Sequence, residues 1–210
     1  MPRSKNFKRR VRATMRATGE RYTQAREKLR SVGGGAPAGV QGWILAGSHP
    51  VDYEIGVETD LTYQGGRVAY LRSVVEKASG FGTLMQTISG DDYRDRRVRF
   101  SADVQAHDIE SWAGLWMRVD GNTTLAFDNM QSRPLRGSFD WRHVEVVLDV
   151  PSEATAVAFG LLLTGRGAVR LSQLRLEVVD ESVPVTNTHH RPRQPINLDF
   201  SQDEAGDQPS

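Results

Sequence analysis

The chain alternates apolar and polar residues most clearly in its middle. In Leu115-Trp116-Met117-Arg118-Val119-Asp120, residues 115, 117 and 119 are apolar while 118 and 120 are charged. Side chains along a strand point alternately to opposite faces, so this spacing predicts one core face and one wet face. It puts Trp116 on the wet face beside Arg118. Residues 97–104 repeat the pattern, with Val98, Phe100, Ala102 and Val104 inward and Arg97, Arg99, Ser101 and Asp103 outward. Period two over such lengths predicts strands.

Further strand-like runs fall at 43–46, 53–58, 67–74, 82–88, 124–128, 142–149, 155–163 and 167–179. Residues 72–79 could alternatively be read as one helical turn. Residues 156–163 are nearly all apolar, as a strand covered on both faces would be. In the last run Val169 and Leu171 change parity with Leu174, Leu176 and Val178, which predicts a bulge at Ser172-Gln173. Turn residues such as Gln64-Gly65-Gly66, Asp120-Gly121-Asn122 and Gly165-Arg166-Gly167 punctuate the runs. Many short strands with no helical repeat between them predict an all-β protein, a sandwich or barrel.

The ends read differently. Phe7, Val11 and Met15 recur every four residues, and Tyr22, Ala25 and Leu29 follow after Gly19. Each set forms one helical stripe, with Gly19 placed to end the first helix. The resulting division is a basic two-helix arm over 1–32, a glycine-rich linker over 33–40, a sandwich over 41–182 and a mostly disordered tail over 183–210. Residues 183–186 are apolar enough to run along an edge.

Charge sharpens this division. Residues 1–32 hold eleven Lys/Arg against Glu20 and Glu27, a net of +9, so the other 16 basic and 24 acidic residues leave −8 on the rest. Lys8, Arg9, Arg10, Arg12 and Arg16 are the candidate anion-binding residues, for a nucleic acid or an acidic protein. A solubilising basic tail is the competing reading. The chain has no cysteine, so it has no disulfide framework, thiolate nucleophile or cysteine zinc site. No secretory signal or membrane-length apolar run is found, which gives an expectation of a cytoplasmic protein with no membrane partner.

Gly42-Trp43, Phe81-Gly82-Thr83-Leu84-Met85-Gln86, Trp112 through Asp120, Leu125-Ala126-Phe127-Asp128-Asn129-Met130-Gln131, Asp140-Trp141 and Val147-Leu148-Asp149-Val150-Pro151 together resemble a bacterial jelly-roll domain. That domain is similar to the galactose-binding and carbohydrate-binding-module folds, and it also occurs attached to AraC-type transcription regulators. The resemblance covers about residues 40–180. It implies an antiparallel jelly-roll β-sandwich and, as function, either sugar binding or protein interaction. Pro195 to Phe200 resembles the opening strand of another jelly roll.

The best ligand constellation is Trp112, Trp116 and Trp141 with Arg118, Asp128, Asn129 and Gln131. Sugar recognition needs a flat apolar surface for the ring face and planar polar groups for paired hydroxyls. The competing reading has Trp112 and Trp141 plugging the sandwich ends and Asp128-Asn129 capping a turn. Asp91, Asp92, Asp95, Asp103, Asp108 and Glu110 fall on turns or outer faces and read as solvated carboxylates. His49, His107 and His143 are scattered singly. No catalytic residues, metal ligands or cofactor are assigned. The expected function is a non-enzymatic binding module for a small ligand or glycan. The alternatives are a structural or protein-interaction protein and, behind it, a transcription regulator or a hydrolase.

Overall fold

A computed structural model of the chain describes residues 40–187. Nine strands form: β1 (Ile44–Gly47), β2 (Tyr53–Tyr63), β3 (Gly66–Ser73), β4 (Phe81–Ser89), β5 (Arg96–Asp120), β6 (Thr124–Asp128), β7 (Leu135–Val150), β8 (Ala156–Thr164) and β9 (Ala168–Val179). No α-helix occurs among the described residues; Pro50–Asp52 and Asp91–Tyr93 make single 3-10 turns. The segment after Ser73 bends without becoming helical. The helical arm expected over 1–32, most of the glycine linker, the bulk of the tail and the 195–200 segment lie outside the described residues.

Strand β5 organises the sandwich. The pattern predicts separate strands over 97–104 and 114–120, whereas the structure has one strand of 25 residues. Its first half pairs antiparallel with β7 on one side and β9 on the other. Its second half pairs with β8 and β6. The chain therefore passes from one layer to the other without a loop. The crossing lies near Asp108, whose left-handed φ of 50° accompanies successive shifts in the β5–β7 register. A bulge of this kind bends a strand and hides its alternation from a period-two reading. Ser138 Oγ lies 2.9 Å from the Asp108 amide, accepting its hydrogen bond.

Two antiparallel sheets result. Sheet I runs β1-β4-β8-β5-β6 and sheet II runs β2-β3-β9-β5-β7. Their inner faces meet in one core: Val98, Phe100, Ala102 and Val104 of sheet II face Leu84, Leu161, Leu163, Leu115 and Met117 of sheet I. Phe100 and Phe159 touch across the layers with ring centroids 5.0 Å apart. Tyr53 packs against Gly82, where a Cβ would stand 2.5 Å from the ring. Its hydroxyl donates to the carbonyls of Gly80 and Gly165 at 3.1 and 3.2 Å, which satisfies a buried phenol.

The jelly-roll sandwich implied by the resemblance is thus the fold observed. Along the β7 edge, Thr186 donates its amide to Val147 O at 2.9 Å, and its hydroxyl accepts from the Val147 amide at 2.8 Å. The chain just beyond β9 is therefore fastened to sheet II, in line with the edge placement read for residues 183–186.

Candidate functional site

Because each sheet buries one face, each also presents an outer face, and the register says which residues share it. Across sheet I, one outer row is Ile44, Met85, Gly160 and Trp116; the next is Ala46, Thr83, Leu162 and Gly114. A third holds Thr87, Ala158, Arg118 and Phe127. Arg118 is the one charged member, and it donates to Asp120 at 2.9 Å.

Trp116 departs from expectation here. Alternation places it on the outward side as predicted, but the residue is only 7% exposed. Its indole crosses β8 to donate from Nε1 to Thr83 Oγ1 at 2.8 Å, and Thr83 Oγ1 in turn donates to Leu161 O at 2.8 Å. The crossing is open because Gly160 occupies the register position between Trp116 and Met85. The wet-face platform expected at Trp116 is therefore a buried, hydrogen-bonded side chain. Parity fixes the side of a sheet a residue points to, but not whether water reaches it.

The other residues of the predicted constellation divide between the sheets. Asn129 O and Met130 Cβ fold against Gly114, each 2.9 Å from where a Cβ would stand, and Trp112 lies at the same place. Asp128 is turned inward; its carboxylate is 7% exposed and pairs with Arg133 Nη2 at 2.7 Å. It also accepts from the Met130 amide at 2.8 Å, holding Met130 at a φ of 59°. Asn129 Oδ1 accepts from the Gln131 amide at 3.1 Å, leaving Gln131 exposed. Asp128 and Asn129 thus make the turn-capping bonds of the competing reading. Trp141 is on β7, in the other sheet, away from the rest.

The outer face of sheet II is built from different residues. Trp141 stacks on Tyr63, with centroids 4.1 Å apart and planes 19° from parallel. Tyr63 is brought there by the β2–β3 hairpin, whose Gln64-Gly65 turn has φ of 48° and 74°, both positive as a type I′ turn requires. The predicted bulge at Ser172-Gln173 has a purpose in this arrangement. Gln173, at φ 54°, donates from Nε2 to Tyr63 O and Gln64 O at 3.2 and 3.4 Å, so it ties the hairpin tip to β9.

Beside the stacked pair, a line of polar groups crosses the sheet. Glu58 on β2 accepts from Arg170 Nε at 2.8 Å, and Arg170 Nη1 donates to Gln105 Oε1 at 3.1 Å. Gln105 Nε2 then donates to Asp140 Oδ1 at 3.0 Å, and Asp140 precedes Trp141. Tyr70 is the register partner of Arg170, and Arg72 stands over its ring at 4.6 Å while donating to Glu54 at 2.6 Å. The hydrogen bond from Arg72 to Glu54 raises the guanidinium pKa above its ordinary value. His143 Nδ1 sits 2.8 Å from Asp103 Oδ1 in the adjoining row.

The face therefore carries planar hydrogen-bonding groups bracketed by Tyr70 on one side and the Tyr63–Trp141 stack on the other. Among the described residues Arg170 commits two of its five N–H donors. No group of three or more His, Cys, Asp or Glu able to hold a metal occurs among the described residues. Of the residues on this face, Trp141 belongs to the constellation expected from the sequence, and Tyr63, Tyr70, Gln105, Asp140 and Arg170 lie outside it. The outward parity of Gln105 on β5 and of Arg170 on β9 was available in the alternation. Their adjacency was not, since 65 residues separate them.

No protein-family model matches the sequence. The uncharacterized HTH-type transcriptional regulator YbfP of Bacillus subtilis (strain 168) is 38% identical over 170 residues, covering 78% of this chain and 58% of that protein. The chain thus spans little more than half the length of that relative, which is a regulator, as the resemblance to a regulator-attached domain implied. Among solved structures, the enzymatically active domain of bacteriophage CBA120 tailspike protein 4 aligns with a TM-score of 0.52 at 12% identity, over 66% of this chain and 20% of that one. The CBM22-1 xylan-binding domain of Paenibacillus barcinonensis Xyn10C aligns with a TM-score of 0.49 at 18% identity, over 68% and 88%. The likeness to the tailspike domain, at 12% identity, is one of fold.

Proposed function

We propose that the sandwich is a non-enzymatic ligand-binding module and that the outer face of sheet II takes a carbohydrate. The observation that carries this reading is the Glu58–Arg170–Gln105–Asp140 line flanked by Tyr70 and by Tyr63 on Trp141. Pyranose rings present an apolar C–H face and pairs of hydroxyls. An aromatic surface answers the first, and fixed amide, guanidinium and carboxylate groups answer the second. Because these groups already hold one another, little side-chain entropy remains to be lost on binding.

The likeness to YbfP, named as a transcriptional regulator, supports a place for the module in regulation. In that reading sugar on sheet II changes the availability of the basic 1–32 segment, with Lys8, Arg9, Arg10, Arg12 and Arg16, to an anionic partner. The +9 against −8 charge division supports such coupling.

Intrinsic tryptophan fluorescence titrated with a panel of neutral oligosaccharides tests the binding face, because Trp141 lies on it. At least one saccharide should change the emission, and Trp141→Ala and Arg170→Ala should each abolish binding while Arg118→Ala does not. Binding that survives both sheet II substitutions, or no binding across the panel, would contradict the proposal.

A further inference from the structure

The outer face of sheet I raises a separate question, independent of the sugar reading. Its three rows carry one charged side chain in twelve positions, and two of its apolar members remain open: Ile44 is 54% exposed and Phe127 is 45% exposed. These two stand on the opposite edge strands β1 and β6, with Met85, Leu162 and the buried Trp116 between them. Exposed apolar side chains on an outward sheet face mark a surface that something covers. We infer that this face is the docking surface for residues 4–30 of the same chain.

Four observations select that occupant. The segment carries the apolar stripe Phe7, Val11 and Met15, and a second of Tyr22, Ala25 and Leu29, with basic residues elsewhere. Helices this short are marginal alone in water and take their stability from an apolar face packed on a partner. The described chain begins at Val40, and the turn closed by the Trp43 amide on Val40 O leads directly into β1, the outermost strand of sheet I. Ile44, the first residue of β1, lies in the same row as Met85 and Trp116. The segment therefore enters at the edge of the face it would cover.

The dimensions agree. Residues 31–39 can reach about 30 Å when extended. Five strands at about 4.8 Å spacing make sheet I roughly 19 Å wide between its outer strands, so every row is within reach. A helix over residues 4–18 would be about 22 Å long, close to that width. Charge agrees as well. Asp91, Asp92, Asp120 and Glu153 gather at the end of sheet I where β4, β5 and β8 meet, with Arg94 and Arg118 as their local counter-charges. Such a rim complements residues 4–30, whose ten Lys/Arg against two Glu give a net charge of +8.

The absence of cysteine makes a site-specific paramagnetic label clean to place in the full-length chain. A nitroxide on Phe127→Cys should remove most of the amide intensity of residues 7–29, while one on Arg175→Cys, on the outer face of sheet II, should leave it. Adding Val11→Asp and Met15→Asp to the Phe127→Cys chain should restore the intensity, with the sandwich resonances unmoved. Equal effects from both labels would overturn the inference. So would broadening seen only when labelled and isotope-enriched molecules are mixed, which would assign the face to a second copy. Intensity that stays low in the Val11→Asp, Met15→Asp chain would overturn it too.

Discussion

The two outer faces of this sandwich come from the same alternation and end in opposite chemistry. On sheet II the outward positions of β5 are Arg97, Arg99, Ser101, Asp103 and Gln105, and side-chain bonds join Arg97, Arg99, Asp103 and Gln105 to β7 and β9. Arg97 donates to Asp149 at 2.7 Å and Arg99 to Glu177 at 2.7 Å. On sheet I the outward positions of the same strand are Trp112, Gly114, Trp116 and Arg118, next to Gly160, Leu162 and Met85. One strand thus serves as a polar platform in one half and an apolar one in the other. The lesson is that alternation assigns sides, while the rows across neighbouring strands decide what a side can do.

The largest test of that contrast compares two tryptophans. Trp116→Ala should cost about 3–5 kcal/mol in urea unfolding, because it empties a buried site. Trp116→Phe should cost less, about 1 kcal/mol beyond the lost volume, since Thr83 keeps its bond to Leu161 O and loses only the indole donor. Trp141→Ala removes one partner of a partly exposed stack and should cost about 0.5–1.5 kcal/mol. Equal losses for the two alanine variants would erase the distinction between the faces.

How much of this the sequence disclosed depends on the kind of fact. Strand positions, the two-sidedness of each and the Ser172-Gln173 bulge follow from period-two alternation and its breaks, which are local. The single 25-residue β5 was not legible, because Asp108 and its polar neighbours interrupt the pattern where the strand changes layers. The candidate site was half legible. Trp141 stands out by type, but its partner Tyr63 comes from a hairpin 78 positions earlier. The burial of Trp116 depends on Gly160 and Thr83, neither of which is near it in the chain.

The arginines provide the next contrast. Arg133→Ala would leave the inward Asp128 carboxylate without its cation and should destabilise by about 2–3 kcal/mol, at the lower side for a buried pair because Arg133 is itself a third exposed. Arg170→Ala, on the wetter face, should cost under about 1 kcal/mol in stability. Thermal or urea unfolding of both variants checks the order.

A smaller effect should appear at high pH. Burial raises the Tyr53 phenol above its ordinary 10.0, aided by the negative charge of nearby Asp52. The unfolded chain then loses this proton first. The stability Tyr53 contributes is whole below about pH 10 and falls as pH rises toward its folded value. Unfolding curves from pH 8 to 11 should show the decline, and Tyr53→Phe should flatten it while lowering stability at neutral pH.

The most direct measurement of the face assignment is a map of amide shifts in the full-length chain titrated with a saccharide that binds. The largest shifts should gather at Tyr63, Tyr70, Gln105, Trp141 and Arg170. Shifts gathered instead around Trp112, Arg118 and Phe127 would show the ligand on sheet I and contradict the account.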